Sequence, residues 1–378
     1  MKLIHLSDLH LGKRVNEFSM LEDQEYILTK IINIIDDEKP DGVLIAGDVY
    51  DKSVPSAEAV SLFDDFLCKL SLRGLQTFII SGNHDSPERI AFGSRLMDAS
   101  GIHIAPVYDG NISSFSMTDI YGTVHIYMLP FIKPVHVGKK FPDEPADSYN
   151  EAISTALSHI KINEAERNIL VTHQFVTGAA RSDSEDISVG GSDNVDADVF
   201  SRFDYTALGH IHRPQNIGGG NIRYCGTPLK YSFSEAGHKK SVTVVELSEK
   251  GKFSVREVPL IPRHDMREIK GTYMELTAKT FYEGTATDDY IHVTLTDEED
   301  IPDAINRLRS IYPNIMKLDY DNTRTRNTAR MVEAENVENK TPYELFAEFY
   351  EKQNGQPMSS QQSDFVKELI EKIWNDEK

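Results

Sequence analysis

Cysteine is almost missing from this 378-residue chain: Cys68 and Cys225 lie far apart and form no Cys-x-x-Cys pair. That excludes a disulfide framework and a cysteine-ligated zinc site, and it makes the cytoplasm the expected compartment. Long apolar runs are missing too, so no membrane-spanning helix and no membrane partner are expected. Met1–Leu11 shows no basic stretch leading into an apolar core, so no secretory signal is expected. No G-x-x-x-x-G-K-[ST] loop occurs, so ATP hydrolysis is not expected of this chain itself. Basic residues are few: 40 Lys and Arg against 60 Asp and Glu give a formal net charge of −20. On that count alone, loose adhesion to nucleic acid is disfavoured, because phosphates are repelled on average.

What is present is ordinary globular composition, with 39% hydrophobic and 26% charged residues. The length suits two to three domains. Short apolar runs predict strands at 2–6, 42–46, 77–80, 124–129, 168–172 and 205–208. Apolar spacing predicts helices over 23–35, 57–72 and 152–165. Strands that alternate with helices imply an α/β sheet covered on both faces. Alternating segments at 221–225, 241–247 and 253–258 read as antiparallel β. Pro262 marks a domain boundary. Beyond it, strands at 290–295 and 315–320 with a helix over 302–311 read as a small α+β module. Residues 323–340 are polar and aperiodic, as in a linker. Thr341-Pro342-Tyr343-Glu344 has the chemistry of a helix start. Leu345, Phe346, Phe349 and Tyr350 then form one apolar stripe, and Phe365, Val366, Leu369, Ile370, Ile373 and Trp374 form another.

The chemistry-bearing residues fall at the ends of predicted strands. Asp8-Leu9-His10 follows the first strand, and alternation in an extended segment would turn both side chains to one side. Gly47-Asp48 follows the second strand, Gly82-Asn83-His84-Asp85 the third, His173 the fifth, and Gly209-His210-Ile211-His212 the sixth. Ligands bind beyond the carboxyl ends of strands in open α/β sheets, so these sites point to one crevice. Carboxylate, imidazole and amide donors without thiolate suit Mn²⁺, Fe²⁺ or Zn²⁺. Each piece alone is ordinary turn or cap chemistry; the ordered set is the specific signal.

That set resembles the calcineurin-like metallophosphoesterase superfamily, from Met1 to about Pro262. The resemblance implies an α/β fold built as a β-sandwich flanked by helices, followed by a small α+β capping domain and C-terminal helices. It implies a nuclease domain over 1–262, a capping domain over 265–325, a linker over 326–340 and a helical partner-binding segment over 341–378. Asp8, His10, Asp48 and His212 match the ligands of one metal. Asp48, Asn83, His173 and His210 match those of a second, with Asp48 bridging ions about 3.5–4 Å apart. His84 matches the catalytic histidine that meets the scissile phosphate. Asp51 and Asp85 are expected to orient neighbours rather than to ligate.

Within the superfamily, the segments Ile4–Lys13, Ser81–Ser86 and Tyr224–Leu229 resemble the SbcD-type DNA-repair nucleases. Cys225 and Thr227 stand where small serine-like residues are expected. The resemblance implies two divalent cations, with Mn²⁺ favoured. It also implies 3′-to-5′ exonuclease action on DNA ends and endonuclease action on single strands and hairpins. The implied partners are DNA and an SbcC-like coiled-coil ATPase, with a homodimer of nuclease subunits inside a heterotetramer. Lys13, Arg14 and Arg89 are expected DNA contacts. The alternatives are a small-molecule or cyclic-nucleotide phosphodiesterase, or a phosphatase, of the same superfamily. A scaffold that has lost its chemistry would lack ligands, whereas all seven and His84 are present.

The acidity is uneven. Residues 281–304 hold eight acids and no Lys or Arg, and residues 331–378 hold eleven acids and five bases. Removing these −8 and −6 from −20 leaves only −6 on the other 306 residues. Affinity for DNA is therefore expected to depend on bound cations and on a partner that adds basic surface.

Overall fold

The computed structural model describes residues 1–185, 193–323, 325–326, 343, 346–347, 349–351 and 357–375. In chain order its main strands are β1 (Lys2–Leu6), β2 (Gly42–Ala46), β3 (Gln76–Ile80), β4 (Ile102–Ile104), β5 (Ser113–Asp119) and β6 (Gly122–Leu129). They continue with β7 (Arg167–His173), β8 (Tyr205–Gly209), β9 (Gln215–Ile217), β10 (Ile222–Tyr224), β11 (Ser241–Leu247) and β12 (Phe253–Pro259). The helices that pack on them are α1 (Leu21–Glu38), α2 (Ala57–Ser71) and α3 (Tyr149–Ser158).

These strands form two six-stranded sheets, in the orders β12-β11-β1-β2-β3-β4 and β9-β10-β8-β7-β6-β5. β1 to β4 run parallel, as do β6, β7, β8 and β10. Alternation within each strand decides the layers. Leu3, Leu44, Phe78 and Val245 of the first sheet meet Val124, Ile126, Ile169, Val171 and Ala207 of the second in one buried cluster. The opposite face of the first sheet (Ile4, Val43, Ile45, Ile79) packs on Ile27 and Ile31 of α1 and on Phe63 and Phe66 of α2. Tyr127, Leu129, Leu170 and Leu208, on the opposite face of the second sheet, pack on Ala152, Ile153 and Ala156 of α3. The result is the expected sandwich flanked by helices. Each fully buried Leu, Ile or Phe contributes about 1.5–3 kcal/mol to it.

Element ends follow local chemistry. Ser56 caps α2 by accepting from the Ala59 N–H at 3.2 Å. α3 starts three residues earlier than the periodicity of 152–165 predicts, because Ser148 and Glu151 form a reciprocal capping box. It also stops earlier, and Asn163 Oδ1 instead accepts from the Ala165 N–H at 3.2 Å, an Asx turn that competes with helix.

After Pro262 come β13 (Met266–Gly271), β14 (Tyr290–Leu295) and β15 (Ile315–Tyr320), a three-stranded sheet in that order. The helix predicted over 302–311 spans Ala304–Arg309. The chain divides into two compact units. One comprises 1–269, 277–293 and 305–318; the other comprises 270–276, 294–304 and 319–378. In the second unit α4 (Ser360–Asn375) carries Phe365, Val366, Leu369 and Ile370 of the expected second stripe. Of the predicted helix start at 341–344 only Tyr343 is described; Leu345 and residues 327–340 of the linker lie outside the described residues. Among the described residues no helix is long and apolar enough to cross a membrane.

Candidate metal centre

The parallel strands β1, β2, β3, β7 and β8 end at one place, and all eight predicted site residues sit in or just beyond those ends. The backbone there is unusual. Asp8 (φ 53°), His10 (φ 45°), Asp48 (φ 48°) and His210 (φ 97°) have positive φ although none is glycine. Such residues cost about 1–3 kcal/mol each and persist where the surroundings enforce them. Asp8 and His10 therefore do not converge by extended alternation, as the Asp-x-His spacing suggests; turns bring them together. The turns are clamped across strands: the Asp8 N–H donates to the Gly47 carbonyl and the His10 N–H to the Asp48 carbonyl, each at 3.0 Å.

Two motif glycines make the approach possible. A Cβ on Gly82 would lie 2.1 Å from Asp48 Oδ1, and one on Gly209 would lie 1.9 Å from the Ala46 carbonyl oxygen. Neither position has room for any side chain.

Donor atoms converge in three overlapping groups, Asp8–His10–His212, His10–Asp48–His84 and Asp8–Asp48–His173, each with its atoms within 4.8 Å of one another. Asp48 is central, with Oδ2 3.3 Å from His173 Nε2 and 3.7 Å from His10 Nε2. Asn83 Oδ1 lies 3.0 Å from His173 Nε2 and 2.9 Å from His210 Nδ1. His10 Nε2 and His212 Nε2 face each other at 3.1 Å. Hydrogen bonds select the inward nitrogens. His173 donates from Nδ1 to the Ala46 carbonyl at 2.8 Å, which leaves Nε2 toward Asp48. His212 Nδ1 contacts Ser184 Oγ at 2.7 Å, which leaves Nε2 toward His10.

The electrostatics suit cation binding. Burial pushes the Asp8 carboxyl up to about 7 and the His210 imidazole down to about 3. Burial likewise lowers His10 and His212. Burial opposes charge on His173 as well, but the Asp48 carboxylate outweighs it and holds His173 at about 9. Burial would raise Asp48, yet the His173 and His10 imidazoles hold it well below the usual carboxylate range. The neutral imidazoles of His10, His210 and His212 keep lone pairs free for a metal, and a buried carboxylate pair needs a compensating cation, a part the protonated His173 plays for Asp48 until a metal displaces its proton. The donor set of two carboxylates, one amide and four imidazoles, without thiolate, therefore fits divalent cations.

His84 is half-buried and oriented from both ends. Its N–H donates to Asp48 Oδ1 at 2.9 Å, and its Nδ1 donates to the Asp51 carbonyl at 3.1 Å, which leaves Nε2 facing the centre. Asp85 accepts the N–H groups of Val49 (3.1 Å), Tyr50 (2.9 Å) and Gly82 (2.9 Å), so it fixes two site loops against each other. Lys13 is committed to Asp51 at 2.7 Å, and Arg14 donates to the Glu17 carbonyl; Arg89 is exposed.

Several contributors have no motif. Gln24 donates from Nε2 to the His10 carbonyl at 2.7 Å, and Tyr231 donates to the Leu9 carbonyl at 2.6 Å. Gln24 had one readable signal, a polar residue on the Ile27–Ile31 stripe of α1. Cys225 and Thr227 also touch the site's surroundings. Cys225 Sγ lies 3.0 Å from Ser7 Oγ, which donates to Asp8, while Thr227 Oγ1 accepts from Lys240 at 2.6 Å.

Comparison with known proteins shows the family of the chain. Residues 1–214 match the calcineurin-like phosphoesterase family. Residues 262–354 match the type 5 capsule protein repressor C-terminal domain family. The chain is 32% identical over 384 residues to the SbcD component of the SbcCD nuclease of Staphylococcus epidermidis, covering 100% of both proteins. The chain belongs to the SbcD family. A second relative, the SbcD component of the SbcCD nuclease of Staphylococcus saprophyticus, is 32% identical over 377 residues, covering 98% of each. A solved dimetal phosphatase from Danio rerio matches at TM-score 0.43 and 11% identity, covering 69% of this chain and 96% of that one, a likeness too loose to argue from. As an SbcD-family phosphoesterase the protein is a phosphodiester hydrolase, and its family implies divalent metals.

Proposed function

We propose that this protein is the DNA nuclease component of an ATP-regulated repair and recombination complex in the cytoplasm. It would act as a 3′-to-5′ exonuclease on duplex ends and as an endonuclease on single strands and hairpins. The supporting observation is the convergence of seven donors and His84 on one centre, in a chain with full-length relatives named as components of the SbcCD nuclease.

Asp8, His10, Asp48 and His212 would hold one cation, and Asp48, Asn83, His173 and His210 a second, with Mn²⁺ the favoured ion. Bound there, divalent cations neutralise charge that grows on the phosphodiester and lower the pKa of a water nucleophile. The chain's own residues do the rest. The buried strand ends exclude bulk water from one side of the substrate. The Asp51 carbonyl holds His84 with Nε2 toward the reacting phosphate, where it donates a hydrogen bond or proton to the leaving oxygen.

The partner is an SbcC-like coiled-coil ATPase, with two nuclease subunits per heterotetramer. The nuclease domain (1–262) would carry the chemistry, with the capping domain (265–325) following it in the chain and the tail (341–378) as the grip on the ATPase. Phe346, Phe349, Phe365 and Leu369 of the tail support this, because 43–66% of each is exposed. An apolar helix face so exposed suits a partner helix.

The test is cleavage of linear duplex and hairpin DNA with Mn²⁺, beside a small phosphodiester. DNA cleavage is expected, and His84→Gln should reduce it about 10²–10⁴-fold while two metals still bind. Cleavage of small esters alone would replace this reading with a small-molecule phosphodiesterase.

A further inference from the structure

One hydrogen-bonded chain near the centre is not used by the mechanism above. His212 Nδ1 lies 2.7 Å from Ser184 Oγ. That hydroxyl donates to Glu235 Oε1, so it must accept from the imidazole, which places the ring proton on Nδ1. Glu235 is 0% exposed, and its second oxygen accepts from Lys240, which is 5% exposed. Lys240 Nζ then turns back, donating to the His212 carbonyl at 2.9 Å and to Thr227 Oγ1 at 2.6 Å. The His212 N–H donates to Glu185 Oε1 at 2.7 Å. One buried circuit thus grips the ring and the carbonyl of a single residue, and Glu185 separately holds its N–H.

Burying a carboxylate and an ammonium is costly and adds little net stability compared with an apolar pair. The Lys240 ammonium bonds the second oxygen of Glu235, and such a charge-assisted pair leaves the first oxygen a strong acceptor for Ser184. The other imidazoles of the centre are held differently: His173 donates to a neutral backbone carbonyl, and among the described residues His10 Nδ1 has no hydrogen-bond partner, the Asp51 carboxylate lying 3.9 Å away. The carboxylate-backed support is therefore specific to His212 among the imidazoles whose outer nitrogens are placed here.

We infer that Ser184, Glu235 and Lys240 are positioning residues that fix the tautomer and angle of His212 and so set the affinity of one of the two cation subsites. The inference rests on the metal-centre reading above. The physical reason is general: a ligating imidazole whose second nitrogen is held by a hydrogen bond has its lone pair aimed, and losing such support costs about 10–100-fold in metal affinity.

Two measurements test it on the full chain. The first is ¹⁵N-edited NMR of the metal-free protein. His212 should show the Nδ1–H tautomer, and Ser184→Ala, which removes the linking hydroxyl and leaves the Glu235 carboxylate 3.5 Å from Nδ1, should weaken that preference toward a tautomer mixture. The second is Mn²⁺ titration by calorimetry. Wild type should show two binding events. Ser184→Ala should weaken one by about 10–100-fold and leave the other unchanged, and Ser184→Thr should restore it. Unchanged binding and tautomer in Ser184→Ala would overturn the positioning role, as would equal weakening of both events. Absence of Mn²⁺ binding in wild type would instead sink the metal-centre reading itself, so the two failures are distinguishable.

Discussion

Arg167 is almost wholly buried at the start of β7, where it joins several parts of the sandwich. Its guanidinium donates to Asp119 at 3.1 Å, to the Ser248 carbonyl at 2.9 Å and to the Gly122 carbonyl at 2.7 Å. Asp119 also accepts from the N-terminal amine. Removing one partner strands a buried charge. Asp119→Asn should destabilise the fold by about 3 kcal/mol, toward the low end for buried pairs because Asp119 keeps 17% side-chain exposure. Urea denaturation measures this. Arg167 holds the Asp119 carboxyl below the usual carboxylate range. Its contribution is therefore present above about pH 4 and is lost as pH falls through the lower folded-state value. The variant should lack that part of the acid-side slope; identical slopes would remove Asp119 from the acid response.

At the scale of elements, the strand-end turns matter more than the strands themselves. Gly209 sits where β8 passes against β2, with no room for a methyl group beside the Ala46 carbonyl. Gly209→Ala should cost more than about 3 kcal/mol and abolish metal binding, because β8 must retreat and carry His210 and His212 with it. Thermal melts with and without Mn²⁺ check this; a normal metal-induced rise in Tm would refute it. By contrast Ser148→Ala, which removes half of the α3 capping box on the opposite side of the second sheet, should cost only about 1 kcal/mol and leave cleavage intact.

For the whole molecule, charge and tail set the expectations. Most of the net −20 lies in 281–304 and 331–378. The isolated chain should bind DNA weakly, more tightly with Mn²⁺ than with a chelator, as fluorescence anisotropy at fixed ionic strength would measure. Equal affinity in both conditions would show that the centre takes no part in holding the phosphate. Deleting residues 341–378 should leave metal-dependent hydrolysis of small phosphodiesters unchanged but remove capture of the ATPase. Retained capture would place the grip elsewhere.

The sequence by itself determined the layers and the chemistry. β1 and β2 fall where the apolar runs predict them, and β11 where alternation does, since a buried strand needs little more than apolar side chains on the faces it buries. The donor types and their order could also be read, because Asp8, His10, Asp48, Asn83, His173, His210 and His212 each follow or end a strand. Only the tertiary structure decided how they meet. Positive φ at Asp8, His10, Asp48 and His210 depends on clamps from other strands. The support of His212 by Ser184, Glu235 and Lys240 joins residues up to 51 positions apart, with no shared spacing to betray them. Local pattern carries burial; long-range hydrogen bonds carry aim, and a one-dimensional reading sees only the first.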